Sequence, residues 1–161
     1  MRGWLLDTNV VAELMRSGGS PDVKAWALSQ PESGLFISVL SLGEYDRGIH
    51  QLADGDPMRA RYALMRDAVA ANFSRRILSV SDAIVLRWAA ISGRVRRDTG
   101  HPPQVVDTLL AATALEHELY LATRNVRDVS DSGALAFNPW TDDAADFPLT
   151  PLTGRRSPSR D

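Results

Sequence analysis

The sequence predicts an α/β domain built on a central, mostly parallel sheet covered by helices on both faces. Short apolar runs of strand length alternate along the chain with longer stretches whose apolar residues recur at helical spacing. The chain has 161 residues, 44% of them hydrophobic, and no internal repeat, which fits one compact core. Strands that alternate with helices join in parallel through right-handed crossovers, so the sheet needs cover on each side.

Trp4 to Leu6 is the first apolar run, and Asp-Thr-Asn leads from it into Val10, Val11 and Leu14 at helical spacing, giving strand, turn, helix. Ser20 and Pro21 open a second helix as N-cap and first helical residue, with Val23, Trp26 and Ala27 facing inward. Leu35 to Ser38 is the second strand. Leu42, Tyr45, Ile49 and Leu52 then mark one helix face, and Asp56-Pro57 starts another helix carrying Tyr62, Met65, Val69 and Phe73. Ile77 to Val80 is the third strand. Ser81 caps a helix with Ile84 or Val85, Trp88, Ile91 and Val95 inward, which Gly100 and Pro102-Pro103 stop. A helix from Gln104 to about His117, a strand at Leu119 to Thr123 and a weak fifth strand at Ala134 to Phe137 complete the pattern. From Thr141 the composition turns to Pro, Thr, Ser, Asp and Arg without periodicity. A domain of residues 1–140 followed by a poorly ordered tail, 141–161, is the expectation.

Twenty acidic and 18 basic residues give a net charge of -2, so a strongly basic nucleic-acid coat is excluded and any RNA or DNA contact must use a local patch. The absence of cysteine excludes disulfides, zinc thiolate sites, iron-sulfur clusters and a thiol nucleophile. Asp7 interrupts the first residues before a signal-peptide apolar region can form, and no stretch of about 18 apolar residues exists to span a membrane. A cytoplasmic location is expected. The only lysine is Lys24; the other 17 basic residues are arginines, which a high-GC coding bias explains as well as phosphate recognition does.

In open parallel sheets, ligands bind outside the carboxyl ends of the strands. Asp7 follows the first strand directly, Glu44 lies one turn into the helix after the second, and Asp128 lies in the loop after Thr123. Asp107 belongs to the first turn of the helix that leads into the fourth strand, which places its carboxylate at the opposite end of the sheet if that helix packs simply. Each acid also has an ordinary structural role available. Asp7 can N-cap the following helix, and Ser41-Leu-Gly-Glu44 has the form of a capping box. Asp107 suits a helix dipole, and Asp128 a turn.

Residues 75–97 carry Arg75, Arg76, Arg87, Arg94, Arg96 and Arg97 against Asp82 alone, the one candidate phosphate-binding patch, with Arg94, Arg96 and Arg97 at its end. A solvated helix C-terminus accounts for the same three arginines. His50, His101 and His117 are scattered without metal-ligand spacing, and Trp26, Trp88 and Phe73 fall on apolar stripes that mark core positions. An aspartyl-nucleophile phosphatase needs a second Asp where Asn9 stands, and a response-regulator receiver needs a lysine that Lys24 cannot supply. No Gly-x-Ser-x-Gly elbow, P-loop or dinucleotide-binding motif is present.

Four segments together resemble a known family: Leu-Leu-Asp-Thr-Asn-Val at 5–10, Ser-Leu-Gly-Glu at 41–44 followed by Arg47-Gly48, Val-Val-Asp-Thr-Leu-Leu-Ala-Ala-Thr-Ala at 105–114, and Thr-Arg-Asn-Val-Arg-Asp at 123–128. In content, order and spacing they resemble the signature segments of PIN-domain ribonucleases, in particular the toxins of VapBC-type toxin–antitoxin pairs, including the variant closed by Asn-Pro-Trp, here 138–140. The resemblance covers residues 4–140. It implies a three-layer α/β/α fold in which the start of the helix at 105 approaches the same rim as the other acids. It further implies an Mg²⁺- or Mn²⁺-dependent endoribonuclease with Asp7, Glu44, Asp107 and Asp128 as the catalytic and metal-binding set, supported by Thr8, Asn9, Thr123 and Asn125. Asp7 and Asp107 are then the first choice as direct ligands, with Glu44 and Asp128 binding the ion, a second ion or the attacking water. Expected partners are RNA, a cognate antitoxin and a second copy in a homodimer. Tyr45-Asp46 and Thr108 depart from the pattern and bear on substrate preference. The alternative is a PIN-like module that binds RNA or protein without cleaving.

Overall fold

The computed structural model describes residues 1–150. Its sheet contains β1 (Trp4–Leu6), β2 (Leu35–Ser38), β3 (Ile77–Leu78), β4 (Tyr120–Ala122) and β5 (Ala136–Phe137) in the spatial order β3-β2-β1-β4-β5. All four pairings are parallel, with Leu5 opposite Phe36 on one side and Leu121 on the other. The first helices are α1 (Thr8–Met15), α2 (Pro21–Ser29) and α3 (Val39–Gln51), followed by α4 (Pro57–Asn72), α5 (Asp82–Thr99) and α6 (Val105–Glu116). A three-layer α/β/α architecture results, as the sequence predicts.

Alternation along β1 divides the core. Trp4 and Leu6 join Val10, Val23, Trp26, Ile37, Val69 and Phe137 on one face, while Leu5 packs on the other with Leu110, Ala111, Ala114 and Leu121. α6 is buried almost all round because it lies between the sheet and α5, whose Ile84, Ile91 and Val95 meet Ala112. Gly100 ends α5 in the left-handed conformation (φ 81°), a geometry in which a Cβ is strained.

Three expectations are corrected. The simple-packing placement of Asp107 at the far end of the sheet does not hold. α6 ends at Glu116 and delivers the chain within a few residues to the start of β4, so its own beginning must stand at the carboxyl rim. The capping-box reading of Ser41 and Glu44 also fails: α3 already begins at Val39, with Ser38 Oγ accepting from the Leu40 amide at 3.2 Å, and Ser41 is fully buried inside the helix.

The tail expected from residue 141 is folded over 141–150. Phe147 lies with its ring centroid 4.9 Å from that of Phe137 and 5.2 Å from that of Tyr120. The Tyr120 hydroxyl donates to the Pro148 carbonyl at 3.0 Å, and the Thr150 amide donates to the Met1 carbonyl at 2.8 Å. Two or three apolar side chains suffice to fasten a short segment when an aromatic surface is ready to receive them. The rest of that expected tail, 151–161, lies outside the described residues. Among the described residues, no helix is long and apolar enough to cross a membrane.

Candidate active site

Because β1 and β4 are parallel neighbours in register, Asp7 and Thr123 leave the sheet side by side. The Thr123 hydroxyl, 2% exposed, donates to Asp7 Oδ2 at 2.7 Å. Asn9 Nδ2 donates to the same oxygen at 2.7 Å, and the Thr8 amide donates to Oδ1 at 2.6 Å. Asp7 is thus the N-cap of α1 and the centre of a polar network at once, so the two roles open to it in the sequence coexist. Its carboxylate is held in one orientation by three donors.

The same network reaches the other strands. The Thr8 hydroxyl donates to Glu44 Oε2, tying α1 to α3. Asn9 Oδ1 accepts from the Arg124 amide at 3.2 Å, and Thr123 Oγ1 accepts from the Asn125 amide at 3.0 Å. Asn125 therefore contributes through its backbone. No hydrogen bond from its side chain caps the 3₁₀ turn Val126–Ser132 that carries Asp128.

Asp107 lies half-buried in the first turn of α6. Its carboxyl is pushed above the ordinary carboxylate range, first by burial and then by the negative charges of Asp7, Asp128 and Glu44. The sequence-predicted acids are thereby brought to one rim, with Asp128 exposed at its edge and Asp7 and Glu44 partly covered. Among the described residues, none of the four enters a salt bridge. Nor do any three His, Cys, Asp or Glu side chains already stand together as a metal-ligand set. The charges of Asp7, Asp128 and Glu44 act on Asp107 through space. Hard oxygen donors around uncompensated negative charge fit Mg²⁺ or Mn²⁺, ions that keep several waters and need only a few carboxylates.

The arginine-rich segment divides. Arg94 donates to the backbone carbonyls of Asp131 at 2.7 Å and Ser132 at 3.3 Å, so it braces the loop behind Asp128. Arg97 pairs with its neighbour Asp98 at 2.9 Å, and Arg96 is exposed in the last turn of α5. Arg76 and Arg87 are drawn to Glu32 and Glu116. Sequence reasoning passed over Arg124, whose guanidinium lies 5.1 Å from the ring centroid of Trp140. Its position directly after Thr123 is the signal that could have found it.

The model of the PIN domain family matches residues 4–129, and the chain belongs to that family. It is 28% identical over 138 residues to the toxin FitB of Neisseria gonorrhoeae, covering 86% of this chain and 99% of that protein. It is 28% identical over 142 residues to the VapC ribonuclease Y4jK of Sinorhizobium fredii, covering 84% and 96% of the two chains. Among solved structures, a FitAB complex bound to an IR36 DNA fragment superposes with a TM-score of 0.73 at 27% identity, over 87% of this chain and 97% of that one.

Proposed function

We propose that this chain is a divalent-metal-dependent endoribonuclease acting as the toxin of a toxin–antitoxin pair. One observation carries the reading: the half-buried Asp107 carboxyl lies within electrostatic reach of Asp7, Asp128 and Glu44, so the four acids of the sequence segments share one neighbourhood at the carboxyl end of the sheet. Relatives described as a toxin and as a VapC ribonuclease supply the substrate class and the biological role.

Asp7 and Asp107 would hold the ion directly, with Glu44 and Asp128 completing the site or orienting water. When bound, Mg²⁺ or Mn²⁺ supplies hydroxide near neutral pH and offsets charge on the phosphoryl oxygens during in-line attack. The protein's own part is positioning. Thr123, Asn9 and the Thr8 amide fix both oxygens of Asp7, and the Thr8 hydroxyl fixes Glu44, so the acids need little reordering when phosphate arrives. Arg96 and Arg97 are candidates for phosphate contact along the RNA.

Four carboxylates are also a ready partner for an antitoxin's basic side chain, which would occupy the site without RNA. A homodimer and a cytoplasmic location belong to the same reading. Induced expression without the antitoxin should arrest growth, and Asp7→Asn should relieve the arrest. Equal toxicity of the two proteins would favour a PIN-like module that binds without cleaving.

A further inference from the structure

A cleft of about 340 Å³ opens beside the acidic rim, between the end of α5, the loop at 100–104, the start of α6 and the 3₁₀ turn that carries Asp128. Its floor is apolar, with Ile91 and Val95 below and Pro102 and Pro103 at the side. His101 lies on its wall, the ring held by a 3.2 Å contact between Nδ1 and the Thr99 carbonyl. Its polar lining is Gln104, Asp128 and Asp131, together with Thr99, Thr108 and Ser132, whose hydroxyls already donate to backbone carbonyls. Gln104 is the N-cap residue of α6, yet its side chain makes no capping hydrogen bond, which leaves the carboxamide free to meet a ligand. The far wall is kept in place by Arg94, which spends its guanidinium on the Asp131 and Ser132 carbonyls.

This chemistry disfavours a phosphate. The lining offers two carboxylates and no lysine or arginine, so an anion would meet repulsion. It suits a flat, neutral, partly apolar group with hydrogen-bond donors at its edge. Its volume lies at the small end of the range for small-molecule sites. We propose that the cleft holds one unpaired nucleobase of the substrate strand next to the cleaved phosphate, with His101 and the two prolines against its face and Gln104 and Asp131 reading its edge. Single-stranded RNA is recognised in this way, by stacking and by hydrogen bonds to exposed base edges. Because the rim is rich in acceptors, it selects bases that carry an exocyclic amino group over uracil, whose one edge donor, N3–H, sits between two carbonyl oxygens that a carboxylate repels. The base-reading role rests on the endoribonuclease proposal; the binding itself does not.

Cytidine and uridine present opposite edges: cytidine offers a 4-amino donor beside an N3 acceptor, and uridine a 4-carbonyl acceptor beside an N3–H donor flanked by two carbonyls. The full chain, ¹⁵N-labelled, is titrated with each nucleoside while chemical shifts are followed. Cytidine should move the Gln104 side-chain amide and the backbone signals of His101 and Asp131, and should bind about tenfold more tightly than uridine, the effect of one hydrogen bond to a charged acceptor. Asp131→Asn and Gln104→Ala should each reduce that preference while the rest of the spectrum stays in place, which verifies folding. Equal response to both nucleosides, or shifts confined to other surfaces, would overturn the proposal whether or not the protein cleaves RNA. In cleavage, Gln104→Ala should redistribute the product ends without abolishing turnover. Unchanged ends would overturn the base-reading role. Selective cytidine binding in a protein that cuts no RNA would retain the cleft and refute the nuclease.

Discussion

Replacing Asp107 by Asn keeps the shape of the side chain and removes one of four converging charges. At an effective dielectric near 20, two like charges about 8 Å apart oppose folding by roughly 2 kcal/mol. The rim is partly open to water and salt, which lowers that figure. The substitution also forfeits roughly 0.3 to 1 kcal/mol of favourable charge at the α6 N-terminus. A net gain of about 1 kcal/mol in the metal-free protein remains, worth about 2 to 4 °C in Tm for a domain of this size. The pH dependence has a definite sign. Since folding raises the Asp107 pKa, the proton's stabilising contribution is fully present below the unfolded value and is lost as pH rises through the folded one. Wild type and Asp107→Asn should therefore melt together in acid, and the variant should melt higher at neutral pH in EDTA. Mn²⁺ should reverse the order, since only wild type binds the ion well. Melting curves with EDTA and with Mn²⁺ across this pH range provide the assay. A variant that melts lower than wild type in EDTA and still gains stability from Mn²⁺ would refute the reasoning.

Thr123→Val preserves volume but removes a donor from Asp7 Oδ2, and should weaken Mn²⁺ affinity by about 10- to 100-fold, read by calorimetric titration. Phe147→Ala should cost about 2 to 3 kcal/mol in chemical denaturation, because the ring packs on Phe137 and Tyr120; an unchanged midpoint would return residues 141–150 to the status of a dispensable tail. Arg96→Ala with Arg97→Ala should flatten the salt dependence of RNA binding by about one unit of slope per lost phosphate contact, whereas Arg94→Ala should act mainly on stability through the loop at 131–132.

The longer elements were legible because their signals are local. Ser20-Pro21, Asp56-Pro57 and Ser81 each start a helix where side-chain capping predicts, and Gly100 ends one. β3 and β5 are shorter than their apolar runs suggest. Only two residues of each pair with a neighbour. Asp7, Glu44, Asp107 and Asp128 could be nominated from their segments, but the bond between Thr8 and Glu44 joins residues far apart in sequence and has no local signature. Ser38 and Ser41 are equally good caps on paper. The difference is that β2 ends at Ser38, so the helix starts there and Ser41 is carried into the core. Phe147 escaped notice because a lone aromatic in a polar stretch has no periodicity, and its partners come from β4 and β5.

The central claim is that the acids at this rim cleave RNA through a divalent ion. Total RNA incubated with the purified chain in Mn²⁺ and in EDTA, alongside Asp7→Asn, with product ends mapped, tests it most directly. The account predicts internal cuts by wild type in Mn²⁺ and none in EDTA or with Asp7→Asn. Cleavage that persists in EDTA, or that Asp7→Asn retains in full, would contradict it.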